Sequence, residues 1–438
     1  MENNINVGLI GAGTVGSGTY KVLKENFSEI YRKTGKKIVI FALAEKNIKR
    51  AKEIAGDETI IFQDAFDLVK HKDINIVVEL IGGTGISKDL VIEAIKNKKH
   101  VVTANKALIA MHGEDLIDLA NDHNVALCYE AAVAGGIPII KSLREGLAAN
   151  KIEWIAGILN GTTNYILTEM KENNLAFDVA LKQAQDLGFA EADPTFDIEG
   201  VDAAHKITIL ASIAFGIPIN FNAVHIEGIS NLTQKDIIYA EELGYRIKLL
   251  GITKCNNDVV ELRVHPTLIP EKRLVANVDG PMNAVLVKGN MVGPTLYYGA
   301  GAGSEATASA VVADIIDLAR NLESNKTTSI PILGFIQSEI KTKKMLSIDD
   351  TVCEFYLRIS MSNESGVLAK ITQVFAKHSI SIDAMVQKEI QENDGIVDII
   401  LVTSTMVEKE INKIIYEVEA LPENKDKVIK LRIEQLNR

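Results

Sequence analysis

The sequence predicts an α/β protein with three domains: a doubly wound parallel sheet, a central α+β domain and a C-terminal βαββαβ domain. The prediction rests on three observations. Apolar strand segments alternate with helical segments over residues 1–135, as in a parallel sheet covered by helices. The pattern changes near residue 141. From about residue 353, strand and helix signals follow the order βαββαβ of the ferredoxin-like arrangement.

Length, charge and cysteine content restrict the class of protein. The chain has 438 residues, more than a single core usually holds, and its net charge of -11 disfavours nucleic acid and anionic membranes as partners. Cys128, Cys255 and Cys353 lie far apart, which fits a reducing compartment and excludes a Cys-rich zinc site. No signal peptide is evident, and the longest apolar run, residues 207–219, is too short for a membrane span. We therefore expect a cytoplasmic protein.

A glycine-rich turn joins the first strand segment to the first helical segment. Residues 5–10 are apolar, Gly11-Ala12-Gly13-Thr14-Val15-Gly16 follows, and apolar residues then recur at helical spacing. In a dinucleotide-binding fingerprint such glycines let the backbone approach a pyrophosphate at the helix N-terminus. The context predicts a Rossmann-type domain, although a lone motif also fits a tight turn in another α/β domain.

The second strand segment, residues 37–45, ends at an acidic residue. Glu45 stands where a carboxylate would meet the adenosine ribose, but it lies further from the glycines than the usual distance of about 20 residues, which a long first helix would explain. Lys46, Lys49 and Arg50 follow, and they could receive a 2′-phosphate or form a solvated loop. The residues leave both NAD and NADP open.

The alternation continues with strands at 74–82, 100–106 and 125–136 and helices at 87–99 and 107–124. Ligands of doubly wound sheets bind beyond the carboxyl ends of the strands. Thr103, Asn105 and Lys106 fall at such an end. We therefore place Lys106 at the cofactor crevice rather than interpret it as an ordinary surface lysine.

An acidic stretch, GFAEADPTFDIEGVDAAHK at residues 188–206, ends at Lys206. A helix is predicted from about Gly200 to Gly216, and on it Asp202 and Lys206 are four residues apart on a face that continues with apolar side chains. An exposed pair of this kind contributes only about 0.2–0.5 kcal/mol. If the face is turned inward, both charges are costly unless they are paired or used. We therefore interpret the pair as a proton-handling site.

The remaining segments complete the domain plan. Residues 261–298 predict a mostly antiparallel sheet, and a second glycine-rich turn from Gly299 opens onto a helix at about 305–322 that returns to the first domain. Residues 326–350 read as a linker. We place a cofactor-binding domain at 1–135, a catalytic and dimerisation domain at 136–325, and a regulatory domain at 351–438.

These segments together resemble homoserine dehydrogenase with a C-terminal ACT domain over nearly the whole chain. The similarity rests on GLIGAGTVGSG, VVTANKALIA, YEAAVAGGIPII, GILNGTTNYILTEM, FAEADPTFDIEGVDAAHKITILA and GAGAGSEATASAVVADI, in that order. It implies NAD(P)-dependent interconversion of L-homoserine and L-aspartate 4-semialdehyde in threonine, methionine and isoleucine biosynthesis. NADP is the favoured cofactor, and a homodimer or tetramer is expected.

The resemblance also implies roles for single residues. Lys206 matches the proton donor, Lys106 a second essential lysine that also contacts substrate, and Glu191 and Asp202 the substrate-binding acids. Carboxylates suit the α-ammonium of the substrate. The cofactor contacts match Gly11, Gly13, Thr14, Val15, Gly16, Thr103, Lys106, Gly188 and Gly303. A sodium ion is expected near Glu130, Val133, Gly135 and Ile137.

The C-terminal stretch MSNESGVLAKITQVFAKHSISI is similar to the effector-binding part of an ACT domain. Asn363 and Gly366 match effector contacts, and feedback inhibition by L-threonine is the expectation. Two positions depart from the family pattern: Ser365 replaces the usual proline, and Glu305-Ala306 stand where relatives commonly have proline.

Two other functions fit parts of the sequence. A catalytically silent amino-acid sensor would keep the cofactor and ACT domains, but it would be free to lose Lys106, Glu191, Asp202 and Lys206, which are all present. A reductase of another small carbonyl compound would share the cofactor fold, but the NGTTN and EADPT segments argue against it.

Overall fold

The computed structural model describes residues 4–56, 58–322, 330–388 and 395–436. The strands are β1 (Asn4–Ile10), β2 (Lys37–Ala44), β3 (Ile60–Phe62), β4 (Ile76–Glu79), β5 (His100–Thr103), β6 (Leu127–Cys128), β7 (Ile152–Ile158), β8 (His225–Ile226), β9 (Tyr245–Asn256), β10 (Val259–Pro270), β11 (Met282–Gly289), β12 (Gly293–Ala300), β13 (Lys344–Met345), β14 (Val352–Ser362), β15 (Ile382–Lys388), β16 (Ile396–Thr403), β17 (Met406–Val407) and β18 (Ile429–Ile433). The helices are α1 (Thr14–Glu25), α2 (Phe27–Thr34), α3 (Ile48–Ile54), α4 (Ala65–Lys70), α5 (Ile86–Lys96), α6 (Lys106–His123), α7 (Ile139–Lys141), α8 (Gly161–Glu172), α9 (Phe177–Asp186), α10 (Thr195–Ile198), α11 (Val201–Phe215), α12 (Gln234–Glu242), α13 (Ser304–Asn321), α14 (Val367–Lys377) and α15 (Glu408–Glu419). Within these ranges, no helix combines the length and the apolar character that crossing a bilayer requires.

The chain forms two compact units. The first contains the residues up to Gly161 together with Asp202–Val224 and Pro281–Lys343, and the second contains Thr162–Val201, His225–Gly280 and the residues from Lys344 onward.

A six-stranded parallel sheet dominates the first unit, with the order β3-β2-β1-β4-β5-β6. This is the doubly wound arrangement predicted from the sequence. Its strands are nearly continuous apolar runs because helices cover both faces, and Val7, Leu9 and Val78 are fully buried. Helix α13 packs against α1 and contributes Val311 to the same core.

Two local predictions in this unit are wrong. The long first helix is divided at Asn26 into α1 and α2, which fits the weak helix propensity of asparagine. The strand predicted over 125–136 ends after β6, and a 3-10 turn at Glu130–Ala132 follows it. Ala134 and Gly135 have φ values of 55° and 49°, which a strand cannot accommodate.

The first unit also contains the antiparallel strands β12, β11 and β7 in that order, and Asn283 on β11 lies opposite Gly299 on β12. Of the predicted linker 326–350, residues 326–329 lie outside the described residues. Ile332 and Leu333 in the remainder are buried, and the Ile332 carbonyl accepts a hydrogen bond from the Tyr129 hydroxyl at 2.9 Å.

The second unit contains the β9-β10 hairpin and the C-terminal module. In the module β14, α14, β15, β16, α15 and β18 have the predicted βαββαβ order, with the two-residue β17 between β16 and α15, and the strand order is β18-β14-β16-β15. Strand β18 also pairs in parallel with β10, so the module's sheet continues into the hairpin. Arg358 on β14 reinforces this unit through a hydrogen bond of 2.7 Å from its Nε to buried Asp236 on α12.

Candidate active site

Asp202 joins two lysines in the first unit. Its Oδ1 lies 2.6 Å from Lys106 Nζ, and its Oδ2 lies 2.7 Å from Lys206 Nζ. Lys106 is the first residue of α6, whereas Asp202 and Lys206 share the buried face of α11. The two residues predicted from helical spacing are therefore paired and turned inward, and Lys106 joins them from a distant part of the chain.

The residues that follow β7 complete this cluster. Leu159 accepts a hydrogen bond at its carbonyl oxygen from Lys206 Nζ at 2.7 Å, and Asn160 Nδ2 donates to Asp202 Oδ2 at 2.8 Å. The Lys206 side chain is only 10% exposed and that of Asp202 only 2%, whereas the Lys106 side chain is 36% exposed. The cluster thus has a buried interior and one solvent-facing ammonium.

The charges of this cluster are mutually dependent. Burial alone would raise the pKa of Asp202, but the ammonium groups of Lys206 and Lys106 outweigh it and hold that pKa well below its usual value. Asp202 is therefore ionised at neutral pH. A permanent negative charge beside buried Lys206 favours the ammonium form of that lysine, which is the form able to donate a proton.

His205 lies between Asp202 and Lys206 in sequence, but it packs against an aromatic ring instead of joining their ion pair. Its ring packs against Phe221, with centroids 4.4 Å apart, and burial lowers its pKa to about 4. The imidazole is neutral at physiological pH. It therefore adds no third positive charge to a cluster that already holds two.

The glycine-rich turn after β1 has the shape that a dinucleotide needs. Gly11 has φ +96°, and a Cβ at Gly16 would lie 2.0 Å from the carbonyl oxygen of Gly11, so only glycine fits there. Gly13 faces open space, because a Cβ built on it would have no heavy atom within 4 Å. Thr14 and Val15 begin α1. The turn thus brings bare backbone to the N-terminus of a twelve-residue helix, which suits a pyrophosphate.

Glu45 follows β2 and is held by the same turn. Its Oε2 accepts a hydrogen bond from the Ala12 backbone N–H at 3.0 Å, and its Oε1 accepts one from Asn47 N–H at 3.0 Å. These backbone donors, led by Asn47, lower the pKa of Glu45 despite partial burial. A fixed negative charge therefore stands at the end of β2, where the sequence predicted the ribose contact.

Thr103 is held by a buried carboxylate that the sequence analysis missed. Glu79, at the end of β4, accepts a hydrogen bond from Thr103 Oγ1 at 2.7 Å and from the N–H groups of Ile81 and Gly82. The Asn105 side chain caps α6 by accepting from Leu108 N–H, so Lys106 begins the helix. A charged residue ending the apolar run IVVE was the available signal for Glu79.

The second glycine-rich turn contacts the first. Gly303, with φ +114°, caps α13, and the Ser304 hydroxyl donates to the Thr14 carbonyl at 2.9 Å. Glu305 forms an exposed ion pair of 2.8 Å with Lys21 on α1. With Glu305-Ala306 in place of the proline common in relatives, α13 still begins directly after Gly303. The Glu305 side chain also adds a contact between α13 and α1.

The rest of the acidic stretch belongs to the second unit. Glu191 is exposed, and its carbonyl accepts a hydrogen bond from Gln185 Nε2 at 3.2 Å. Gly188, after α9, is also exposed. Asp193 accepts from Thr195 N–H at 3.1 Å, and Glu199 accepts from the Ser230 hydroxyl. The substrate-binding role of Glu191 and the cofactor-binding role of Gly188 stay predictions.

Comparisons with known proteins show which family the chain is similar to. Family models described as "Homoserine dehydrogenase, NAD binding domain", "Homoserine dehydrogenase" and "ACT domain" match residues 11–130, 138–316 and 355–420. A homoserine dehydrogenase of Neisseria gonorrhoeae is 52% identical over 433 residues, covering 99% of both chains. The crystal structure of a homoserine dehydrogenase from Thiobacillus denitrificans has a TM-score of 0.94 at 54% identity and covers 100% of both chains.

The chain belongs to the homoserine dehydrogenase family. It is an NAD(P)-dependent oxidoreductase that acts on a CH–OH group. A hyperthermophilic archaeal homoserine dehydrogenase solved in complex with NADPH is also similar, with a TM-score of 0.61 and 26% identity over 72% of this chain and 97% of that one.

In this homoserine dehydrogenase the four residues predicted to lie near sodium, Glu130, Val133, Gly135 and Ile137, are buried in the first unit. Both carboxylate oxygens of Glu130 accept backbone N–H groups at the start of α7, from Ile140 at 2.9 Å and Lys141 at 2.8 Å. Burial and nearby Asp314 raise the pKa of Glu130 to about 7. Both carboxylate oxygens of Glu130 thus accept hydrogen bonds within the protein.

The ACT domain holds the two predicted effector residues at its β14-α14 connection. Asn363 is exposed, and its N–H donates to the Gly395 carbonyl at 2.8 Å. Gly366 has φ +93° and caps α14. Ser365 is compatible with this connection, because α14 begins at Val367 without proline preceding the glycine.

Proposed function

We propose that Lys206 donates the proton in the reduction of L-aspartate 4-semialdehyde to L-homoserine and accepts it in the reverse reaction. The observation that supports this role is the buried Nζ of Lys206, hydrogen-bonded to Asp202 and to the Leu159 carbonyl. Adding hydride to an aldehyde leaves an alkoxide, and a cation beside the oxygen stabilises that charge before neutralising it.

Bound NAD(P)H supplies the hydride that reaches the aldehyde carbon. The open backbone at Gly13 and the N-terminus of α1 would hold the cofactor's pyrophosphate. The Nζ of Lys206 gives one proton to the aldehyde oxygen and is left as a neutral amine, which regains a proton from solvent. Asp202 stays ionised throughout and orients that amine.

We also propose substrate contacts for Lys106 and for Glu191, each on its own evidence. Lys106 Nζ is bound to Asp202 and is partly exposed, so it can contact the substrate while anchored. The exposed carboxylate of Glu191 suits the substrate's α-ammonium group. In this proposal Asp202 is the link that places Lys106 and Lys206 around one substrate.

A pair of lysine variants tests the proton donor. We expect Lys206→Met to lower kcat by at least about 10²-fold, the scale for loss of a general acid. The control is Lys182→Met, because Lys182 also pairs with an aspartate four residues away but is 67% exposed. Absorbance of NAD(P)H is followed with aspartate semialdehyde and, in reverse, with homoserine. Turnover of Lys206→Met equal to that of Lys182→Met would exclude Lys206 as the donor.

For cofactor preference, the fixed carboxylate of Glu45 supports use of NAD. A negative charge at the ribose end of β2 accepts hydrogen bonds from ribose hydroxyls and repels a 2′-phosphate. The NADP preference expected from the sequence stays a prediction, supported by Lys46, Lys49 and Arg50. Values of kcat/KM measured with each cofactor decide between them.

For the monovalent cation, we propose that a sodium ion binds near Glu130, Val133, Gly135 and Ile137. Carboxylate and carbonyl oxygens both suit hard cations, and this segment offers oxygens of both kinds. A higher melting temperature in sodium chloride than in choline chloride at equal ionic strength would support this. Equal melting temperatures would argue against it.

For regulation, we propose that an amino acid, L-threonine first, binds beside Asn363 and Gly366 in the ACT domain. Strand β18 pairs with β10, so removing the whole domain would expose a sheet edge. A single variant, Asn363→Ala, is therefore the cleaner test. Threonine inhibition should weaken in this variant and persist in Asn412→Ala, on α15 of the same domain; undiminished inhibition in Asn363→Ala contradicts the assignment.

The cytoplasmic location and the homo-oligomeric state expected from the sequence stay predictions. Light scattering coupled to size-exclusion chromatography tests the second.

A further inference from the structure

Asn283 on β11 touches the proton-donor site from a direction that no sequence motif indicated. Its Nδ2 donates a hydrogen bond of 3.1 Å to the Leu159 carbonyl, the same oxygen that accepts from Lys206 Nζ at 2.7 Å. Asn283 is completely buried, with 0% of its surface exposed. Two donors thus share one carbonyl oxygen, one of them the proposed catalytic ammonium.

The amide of Asn283 is held flat against a glycine. A Cβ built on Gly301 would lie 2.0 Å from Nδ2, 2.1 Å from Cγ and 2.5 Å from Oδ1 of Asn283. Gly301 does not need glycine for its backbone angles, since its φ is not positive. The requirement for glycine in the GAGAG turn at this position is therefore spatial: the turn leaves room for the Asn283 amide.

The polypeptide around Leu159 is fixed by the same strand. A Cβ on Gly161 would lie 2.6 Å from the Pro281 carbonyl, so the chain after β7 runs close against the start of β11. Asn160, between these two points, holds Asp202 at 2.8 Å. One short segment therefore carries both an acceptor of Lys206 and a donor to its counter-ion, and Asn283 anchors that segment.

Burying the Asn283 side chain has a cost in folding free energy, which arises at its amide oxygen. Its Oδ1 is buried and accepts no hydrogen bond from the part of the chain that the structure describes. Burying an amide oxygen without a donor is unfavourable. An apolar side chain would avoid that cost, so the amide is best explained by what its Nδ2 does at Leu159.

We propose that Asn283 is a positioning residue for Lys206, acting through the Leu159 carbonyl, and that Gly301 is required to seat it. The hydrogen bond from Asn283 holds the carbonyl oxygen where it accepts from Lys206 and keeps the ammonium aimed in one direction. Without it, Leu159 is free to turn, and the ammonium form loses a fixed acceptor. The inference rests on the proposed role of Lys206.

The test compares Asn283→Ala with Asn150→Ala in the full-length enzyme. Asn150 also donates from Nδ2 to a backbone carbonyl, that of Leu147 at 3.3 Å, but near the opposite end of β11. We expect Asn283→Ala to lower kcat about tenfold, to leave both KM values within about threefold, and to move the alkaline limb of the pH profile to lower pH. Asn150→Ala should leave the limb in place.

A double variant separates positioning from packing. Asn283→Ala vacates the space that a methyl group at Gly301 would occupy, so Gly301→Ala added to Asn283→Ala should restore packing and part of any lost melting temperature. It cannot restore the hydrogen bond to Leu159. We expect the melting temperature to recover while kcat and the alkaline limb do not; recovery of kcat along with stability would overturn the proposal.

The two proposals fail in different ways. If Lys206→Met keeps wild-type turnover, the proton-donor role fails regardless of Asn283. If Lys206→Met is inactive while Asn283→Ala keeps the wild-type kcat and pH profile, the proton donor stands and only the positioning role is refuted.

Discussion

Replacing Asp202 with asparagine tests the electrostatic core of the site. The change keeps the size of the side chain but removes the one negative charge that lies 2.6 Å from Lys106 Nζ and 2.7 Å from Lys206 Nζ. At an effective dielectric constant of about 20, each such contact corresponds to roughly 6 kcal/mol of Coulomb attraction. Desolvation offsets much of this, and removing one partner of a buried pair typically costs about 3–5 kcal/mol.

We expect Asp202→Asn to be less stable than wild type and to hold less of Lys206 in the ammonium form that donates the proton. The pKa of Asp202 is depressed in the folded protein, so its stabilising contribution is fully present above about pH 4, its unfolded value, and is lost only as pH falls through the lower folded value. At pH 7 we therefore expect Asp202→Asn to lower the free energy of unfolding by about 3–5 kcal/mol. We also expect kcat to fall by about 10²-fold or more, with the alkaline limb of the pH profile at lower pH.

Denaturant unfolding and NAD(P)H absorbance provide the two measurements. The matched control is Asp186→Asn, because Asp186 lies 2.6 Å from Lys182 at the same four-residue spacing but is 63% exposed. That variant should change stability by no more than about 0.5 kcal/mol. If Asp202→Asn behaves like Asp186→Asn in both assays, the buried cluster does not control the acid and the reasoning fails.

Three further predictions concern single positions in the first unit. Burial lowers the pKa of His205 to about 4 in the folded protein, so wild type should lose stability as pH falls from about 6.5 to 4. Denaturant unfolding at pH 7 and pH 4.5 measures this loss, which should be smaller in His205→Gln. Gly16→Ala should lower the melting temperature and raise the cofactor KM, because its Cβ would lie 2.0 Å from the Gly11 carbonyl. Gly13→Ala should raise only the cofactor KM, because a Cβ at Gly13 meets open space. Equal melting temperatures for the two variants would contradict this prediction. Glu45→Gln should raise the ratio of kcat/KM for NADP to that for NAD by about tenfold, from loss of charge repulsion worth about 1.4 kcal/mol; an unchanged ratio would remove Glu45 from cofactor selection.

Much of the fold was predictable because its signals are local. Alternating strand and helix periodicity, together with the glycines between residues 11 and 16, predicts the doubly wound sheet, and the terminal βαββαβ order is equally readable. The errors arose where local signals compete. The apolar run after β6 reads as a strand, but the left-handed backbone at Ala134 and Gly135 ends it.

The residues of the candidate site were also predictable from the sequence only in part. Asp202 and Lys206 are separated by one helical turn, so their pairing follows from the geometry of any helix, and the apolar composition of α11 indicated that they face inward. Glu79 gave a weak signal as a charge ending an apolar strand. Nothing in the sequence could show that its carboxylate holds both Thr103 and the turn after β4.

The sequence by itself determined the order of the elements, the glycine turn for the cofactor and the acid-base pair on α11, because each depends on neighbours within a few residues. Only the tertiary structure decided that Lys106 shares Asp202 with Lys206, and that Asn283 and Lys206 meet at the Leu159 carbonyl. The physical reason is that every residue has a main-chain carbonyl, so the residue types do not show which carbonyl will accept a given hydrogen bond. Its partners are chosen by strand register and helix packing, which bring together residues far apart in the chain.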